Sequence, residues 1–305
     1  MPPINSSWLT QRNILFIALI AFSLLVFWQP FGTLFKLAWQ QDEYTHILLV
    51  LPVSLTLIFL ESKDAPVRAR YAPGSGFALL LLATISYWAA KAHGGLLPNA
   101  GLSLAILVLV LYWMAFVIGC YGFQVFRSLL FPFLFLFLLT PIPGPVLDKV
   151  ISFLQTASTD ATFALFKLSG VPVLKTGFLL SMPTLQIEVA KECSGIRSSM
   201  MLLITGLLLA HLFLRSFWSK LVFVLCIVPL AVAKNAVRIF TLSMLGMHVS
   251  IGFLEGRLHH NGGVVFFLLA LVALLALLWI LQKAEGTKTK REASTGSAAR
   301  RVERS

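Results

Sequence analysis

Charge is scarce in this chain: acidic and basic side chains make up only 12% of its 305 residues, and just 12 of them are Asp or Glu. A water-soluble domain of this size carries about twice that charged fraction on its surface, so an ordinary globular fold is excluded. Cysteine is equally thin, with Cys120, Cys193 and Cys226 far apart in the chain. That odd, dispersed set argues against a disulfide framework and against a thiolate metal site. No cofactor motif and no metal-ligand spacing is visible; the adjacent His259 and His260 do not make one. Internal repeats are absent too, and the only low-complexity stretch is the C-terminal one.

What is present is apolar surface, 58% of the residues at a mean hydropathy of +0.88. Segments at roughly 13–30, 46–60, 76–91, 101–119, 124–140, 197–214, 221–245 and 263–282 predict an all-α membrane protein of about eight transmembrane helices. The first segment, "ILFIALIAFSLLVFW", runs on into "QPFGTLF" without a small-residue cleavage site and is expected to be a retained helix rather than a signal peptide. Residues 1–282 are expected to form one polytopic domain. The remaining 283–305, with Lys283, Lys288, Lys290, Arg291, Arg300, Arg301 and Arg304, read as a disordered cytoplasmic tail held near an anionic leaflet, not as a nucleic-acid module.

With both ends inside, the short inner segments hold Arg12, then Lys63, Arg68 and Arg70, then Arg127, then Arg215 and Lys220. Short outer segments hold only Lys36, Lys91 and Arg257, apart from the motif at 191–197. The positive-inside bias therefore makes the long 141–196 segment extracytoplasmic. Its "TPIPGP" ends the fifth span, and 148–168 has apolar residues at helical spacing with Lys149, Asp160 and Lys167 among them, which predicts an amphipathic helix lying on the membrane. Beyond Gly170, "VPVLKTGFLLSMPTLQIEVAK" alternates around Gly177 and Pro183 and predicts a short strand hairpin.

Three polar features then fall on the same predicted face. Cys193, in "KECSGIRSSM", precedes a membrane helix, where unpaired N–H groups favour an anion and hence a nucleophilic thiolate. Its neighbours Glu192, Ser194, Gly195 and Arg197 are candidate supporting residues, the small ones allowing a substrate backbone to come close. In the seventh span, "VAKNAVRIF" buries Lys234, Asn235 and Arg238 in apolar sequence, where ionisable groups are costly and face a cavity or a partner. Asn235 and Arg238 are three apart and share a helix face. His259 and His260 sit at the predicted outer edge of the last span. Cys, Arg and His together point to acyl transfer: a thiolate attacks a carbonyl, a cation stabilises the oxyanion, and an imidazole moves the proton. Cys120 and Cys226 read as inert core thiols.

Two other classes compete. An outer-face membrane phosphatase or lipid-modifying enzyme needs a phosphate-binding cluster, and no Pro-Ser-Gly-His run is present. A non-enzymatic transporter would line a midplane path with Lys234, Asn235 and Arg238, but inverted repeats are not apparent.

"ECSGIRSS", "NAVRI" and then His259 with Gly263 and Phe267 resemble, in order and spacing, the signature of the exosortase/archaeosortase family of polytopic cysteine transpeptidases. "DEYTHILLVLPVSLTLIF" is similar to that family's N-terminal Tyr-Ser-His stretch, with Thr45 and Ile47 where serine and glycine are common, and "TPIPGP" is similar to its Pro-rich turn. The resemblance implies a thiol protease or transpeptidase of the cell inner membrane with Cys193 as nucleophile, Arg238 as oxyanion and thiolate stabiliser and His259 as acid/base, the histidine being four residues before Gly263. It further implies a role in protein sorting, no cofactor, and partners that are membrane lipids and exported proteins ending in a short PEP-type motif, a membrane helix and a basic tail.

Overall fold

The computed structural model describes residues 6–63, 72–92, 99–249 and 257–302, with the side chains of 6–10, 192, 257–262 and 287–302 also outside the described set. Arg68 and Arg70, expected in an inner loop, therefore lie outside the described residues, as does the side chain of Glu192. The chain forms two compact units, Met1–Asp148 and Lys149–Ser305. Six helices are long and apolar enough to cross a membrane, or up to eight if each of two broken pairs is one span. The protein is thus an all-α, multi-pass membrane protein.

In the first unit the helices are α1 (Ser6–Val26), α2 (Trp28–Gln40), α3 (Ile47–Ser62), α4 (Pro73–Ala92), α5 (Ala100–Ser128) and α6 (Leu130–Leu136). The central element is α5, whose most apolar window is 61% buried against 11% for α4. Several polar side chains inside this bundle are paired across it, whereas the buried Ser54 hydroxyl has no partner among the described residues. Trp113 Nε1 donates to Ser23 Oγ (3.0 Å), Tyr44 Oη to the Ile142 carbonyl (2.8 Å) and Ser103 Oγ to the Pro141 carbonyl (2.6 Å). His46 is buried, with Nδ1 3.1 Å from the Glu43 carbonyl at the start of α3.

Two expected spans are interrupted, for one reason. The first breaks at Phe27, where α1 and α2 meet at 73°, and the fifth breaks at Leu129, between α5 and α6. Each break lies three residues before a proline, Pro30 and Pro132. Proline lacks the N–H that would bond four residues back, and its ring collides with that carbonyl, so the helix restarts with proline in its first turn. The apolar stretch after Leu129 reaches only Leu139, about 15 Å of helix, too short to cross a bilayer alone. A loop expected between the fourth and fifth spans survives as a kink at Gly122 (φ 83, ψ 169) inside α5.

The second unit begins in the long α7 (Gly144–Leu168), followed by strands β1 (Leu174–Thr176), β2 (Leu179–Ser181) and β3 (Gln186–Glu188), then α8 (Ile196–Phe213), α9 (Phe217–His248) and α10 (Arg257–Val302). The expected amphipathic helix is α7, and Lys149, Asp160 and Lys167 are exposed on it as expected, but its buried face also carries uncharged polar residues. Gln155, Ser158, Thr159 and Thr162 are buried, while Phe153 and Leu168 are exposed. These residues recur at helical spacing, so they share the buried face with Ile151, Leu154 and Phe166, and their small hydroxyls let that face pack closely against protein. The expected hairpin gains a third strand: the antiparallel sheet has order β1-β2-β3 and turns first at Gly177, whose φ of 63° suits glycine.

Helices α8, α9 and α10 close around Leu202, Phe223, Ile227 and Leu274. Glu285 of α10 accepts from the backbone N–H of Arg215 (3.1 Å) and Ser216 (2.9 Å), satisfying donors at the start of α9. The basic tail, expected to be disordered, has helical backbone through Val302.

Close packing of α4 on α5 supplies a test. A Cβ on Gly76 would lie 2.8 Å from the Ala115 carbonyl oxygen and 2.8 Å from the Gly119 Cα, and neither backbone atom can swing away. Gly76→Val should destabilise the bundle by about 1–3 kcal/mol, read as a lower unfolding temperature in detergent, whereas Gly74→Ala, in open space, should not.

Candidate active site

All of the site's described residues belong to the second unit. Cys193 ends its approach strand in a single turn of 3-10 helix, Lys191–Ser194, and Gly195 caps α8 with φ 73°. Only glycine adopts that left-handed conformation without cost, and a side chain there would meet Asn235: a Cβ would be 2.9 Å from its Oδ1 and 3.0 Å from its Cγ. The thiol is therefore set two residues before the cap of a helix start, partly exposed, and in no disulfide.

From α9, Asn235 reaches across and donates through Nδ2 to the Cys193 carbonyl (2.9 Å). Asn235 is 1% exposed, and its Oδ1 has no hydrogen-bond partner among the described residues. Lys234, also buried, donates to Ser198 Oγ on α8, and Ser198 and Ser199 in turn donate to the Gly195 carbonyl (3.1 and 2.8 Å). These contacts tie the first turn of α8 to the middle of α9. Removing such a buried partner leaves a polar group unsatisfied, at a cost of about 1–3 kcal/mol.

One turn along α9 from that tie lies Arg238. It lines a small, partly open cleft together with Cys193, Ile187, Glu188, Val189, Ile239, Leu242 and Ser243. Cys193 and Arg238 thus line one space, from positions 45 apart in sequence. Below, Phe166, Leu180, Met182 and Val189 form the core on which the cleft wall rests. Gln155 of α7 donates to the Val189 carbonyl, fixing the strand that leads into the Cys193 turn.

The other expected site residues fall as follows. Ser194 is buried at 1% exposure and its Oγ has no partner among the described residues. Arg197 is exposed on the first turn of α8 and does not line the cleft. The backbone of His259 lies in the first turn of α10, but its side chain, like those of His260 and Glu192, is outside the described residues. Lys234 proves to be a link between helices. The sequence reading missed Gln155 and Glu188; the signal for Gln155 was its place in the series Gln155, Ser158, Thr159 and Thr162, uncharged polar residues at helical spacing. Among the described residues, no group of three or more His, Cys, Asp or Glu is arranged to hold a metal ion.

The Gly195–Asn235 contact is testable by a double-mutant cycle. Gly195→Ala should cost about 1–2 kcal/mol from the left-handed backbone and more from the collision with Asn235. In an Asn235→Ala background the collision part should vanish, so thermal unfolding of the four proteins should be non-additive; strict additivity would contradict the contact.

Comparison with known proteins gives one positive result. The family model for transmembrane exosortase matches residues 39–276, most of the chain and all of the described cleft. No curated protein and no solved structure matches. The motifs around Cys193 and Arg238 and the family match agree, and the chain belongs to the transmembrane exosortase family.

Proposed function

We propose that this exosortase cleaves the C-terminal sorting signals of exported proteins at the outer face of the cell inner membrane, through a thioester on Cys193, and passes the acylated protein to an acceptor. Family membership supports a membrane transpeptidase or sorting function in general. The single observation that carries the finer reading is the shared cleft of Cys193 and Arg238.

In this mechanism the Cys193 thiolate attacks the carbonyl carbon of the scissile peptide bond. The carbonyl π electrons move to oxygen, and the Arg238 guanidinium stabilises the developing oxyanion and, before it, the thiolate. Collapse of the tetrahedral species breaks the C–N bond, and the leaving amine takes the proton carried by His259, which had accepted it from the thiol. The acceptor nucleophile then attacks the thioester, returning its own proton to His259 and releasing Cys193. Ser194 and Gly195, expected to admit the substrate backbone, are buried, and the space beside Gly195 is filled by Asn235, so the peptide approaches the thiol from the cleft. Asn235 positions the Cys193 main chain and touches no reacting atom.

The substrate class is a short PEP-type motif followed by a membrane helix and a basic tail, whose extended motif would reach the outer-face cleft. The test is processing of a co-expressed candidate substrate. Cys193→Ala should abolish it, Arg238→Ala should reduce it about 10²–10³-fold as expected for loss of an oxyanion stabiliser, and His259→Ala should reduce it about 10²–10⁴-fold. Each variant should still insert in the membrane. Unchanged processing by any one of them removes that residue from the mechanism.

A further inference from the structure

We propose that the polypeptide substrate binds as an added β-strand, pairing its main chain with the open edge of β3 beside Cys193. This inference rests on the peptide-cleaving reading above and specifies how the peptide is held.

Within the sheet, β3 pairs with β2 on one side only. The register opposes Leu179 to Glu188, Leu180 to Ile187 and Ser181 to Gln186. At the closed end, Met182 and Leu185 exchange both backbone hydrogen bonds (2.8 and 3.3 Å), and at the other end Val189 N–H donates to the Phe178 carbonyl (3.0 Å). Bonded and non-bonded pairs alternate along an antiparallel ladder, so Leu180 with Ile187 is the bonded pair between them. Gln186 and Glu188 consequently turn their N–H and C=O groups away from β2. The Glu188 carbonyl accepts from Ala190 N–H (3.0 Å). Among the described residues, the N–H and C=O of Gln186 and the N–H of Glu188 are left on the open edge.

Such an edge is a template for another chain, and an unprotected one is unusual. Here its place explains it. Ile187, Glu188 and Val189 form one wall of the cleft that holds Cys193 and Arg238, whereas β1, the strand at the sheet's other edge, does not line it. The opposite wall is the apolar face of α9 at Ile239 and Leu242. A peptide in this slot receives main-chain hydrogen bonds from β3 and places alternate side chains toward α9, the arrangement by which sheet edges capture extended peptides. The carbonyl of the next residue along is delivered toward the thiol. Recognition by main chain tolerates varied side chains, and the Gln155 bond to the Val189 carbonyl keeps the edge in place.

Proline substitution separates the edge from the ladder. At position 188 it removes an N–H that β2 does not use, a placement proline tolerates in edge strands. The probe is a synthetic peptide carrying a Pro-Glu-Pro motif with flanking residues, cleaved by the full chain in detergent. Glu188→Pro should raise KM about 10-fold, the loss of roughly one hydrogen bond, with kcat little changed and Cys193 labelled by iodoacetamide at the wild-type rate. In parallel, N-methylation along the peptide should raise KM at every second available amide and spare those between. If Glu188→Pro disturbs folding, seen as altered labelling, the methylation pattern decides alone. Uniform or absent sensitivity to methylation, with cleavage still dependent on Cys193, overturns strand addition and leaves the cysteine mechanism standing. No cleavage of any such peptide by the wild-type chain overturns both.

Discussion

The arrangement of the second unit depends on one contact: the Asn235 amide packed on Gly195 and bonded to the Cys193 carbonyl. It requires glycine twice over, for the left-handed backbone and for the missing side chain. Asn235, anchored there, is three positions from Arg238 on α9, so the residue that holds the Cys193 carbonyl and the residue that lines the Cys193 cleft share a helix face. The Lys234 bond to Ser198 and the serine bonds to the Gly195 carbonyl repeat the tie one layer away. An intramembrane Lys-Asn pair that composition alone would assign to a transport path is thereby accounted for as a fastening between α8 and α9.

The cleft also depends on backbone bookkeeping in an apolar setting. Every peptide group must find a partner within the protein when water is scarce. In the second unit, α7 carries buried polar side chains to that end: Gln155 donates to the Val189 carbonyl after β3, and Thr162 donates to the Ser158 carbonyl within α7. Against this background the edge of β3 stands out, since among the described residues its outward main-chain groups beside Cys193 have no strand paired to them.

Much of this was legible in the sequence. Eighteen-residue apolar runs announced most of the spans, and the alternation around Gly177 announced the strands. The polarity of "KECSGIRSSM" and "AKNAVRI" within greasy surroundings singled out Cys193, Asn235 and Arg238, because ionisable groups in such segments are too costly to be incidental. Helix continuity was harder to read. Hydropathy averages over Phe27 and Leu129 and is blind to a missing N–H at Pro30 and Pro132, so two spans looked whole. On α7 the charged residues face outward as read, but the burial of Gln155, Ser158, Thr159 and Thr162 was hidden, because a 3.6-residue period is the same whether uncharged polar residues face solvent or a protein interior. Arg197, close to Cys193 in sequence, is exposed away from the cleft, since adjacent positions on a helix start point in different directions.

The central claim is that the Cys193 sulfur forms the acyl bond. The most direct measurement is mass spectrometry of the acid-quenched protein after co-expression with a candidate sorting-signal substrate. The account predicts a hydroxylamine-labile adduct, of the mass of the substrate's cleaved acyl portion, on the proteolytic fragment containing Cys193. Substrate processing with no adduct at Cys193, or with an adduct mapped to Cys120 or Cys226, would contradict it.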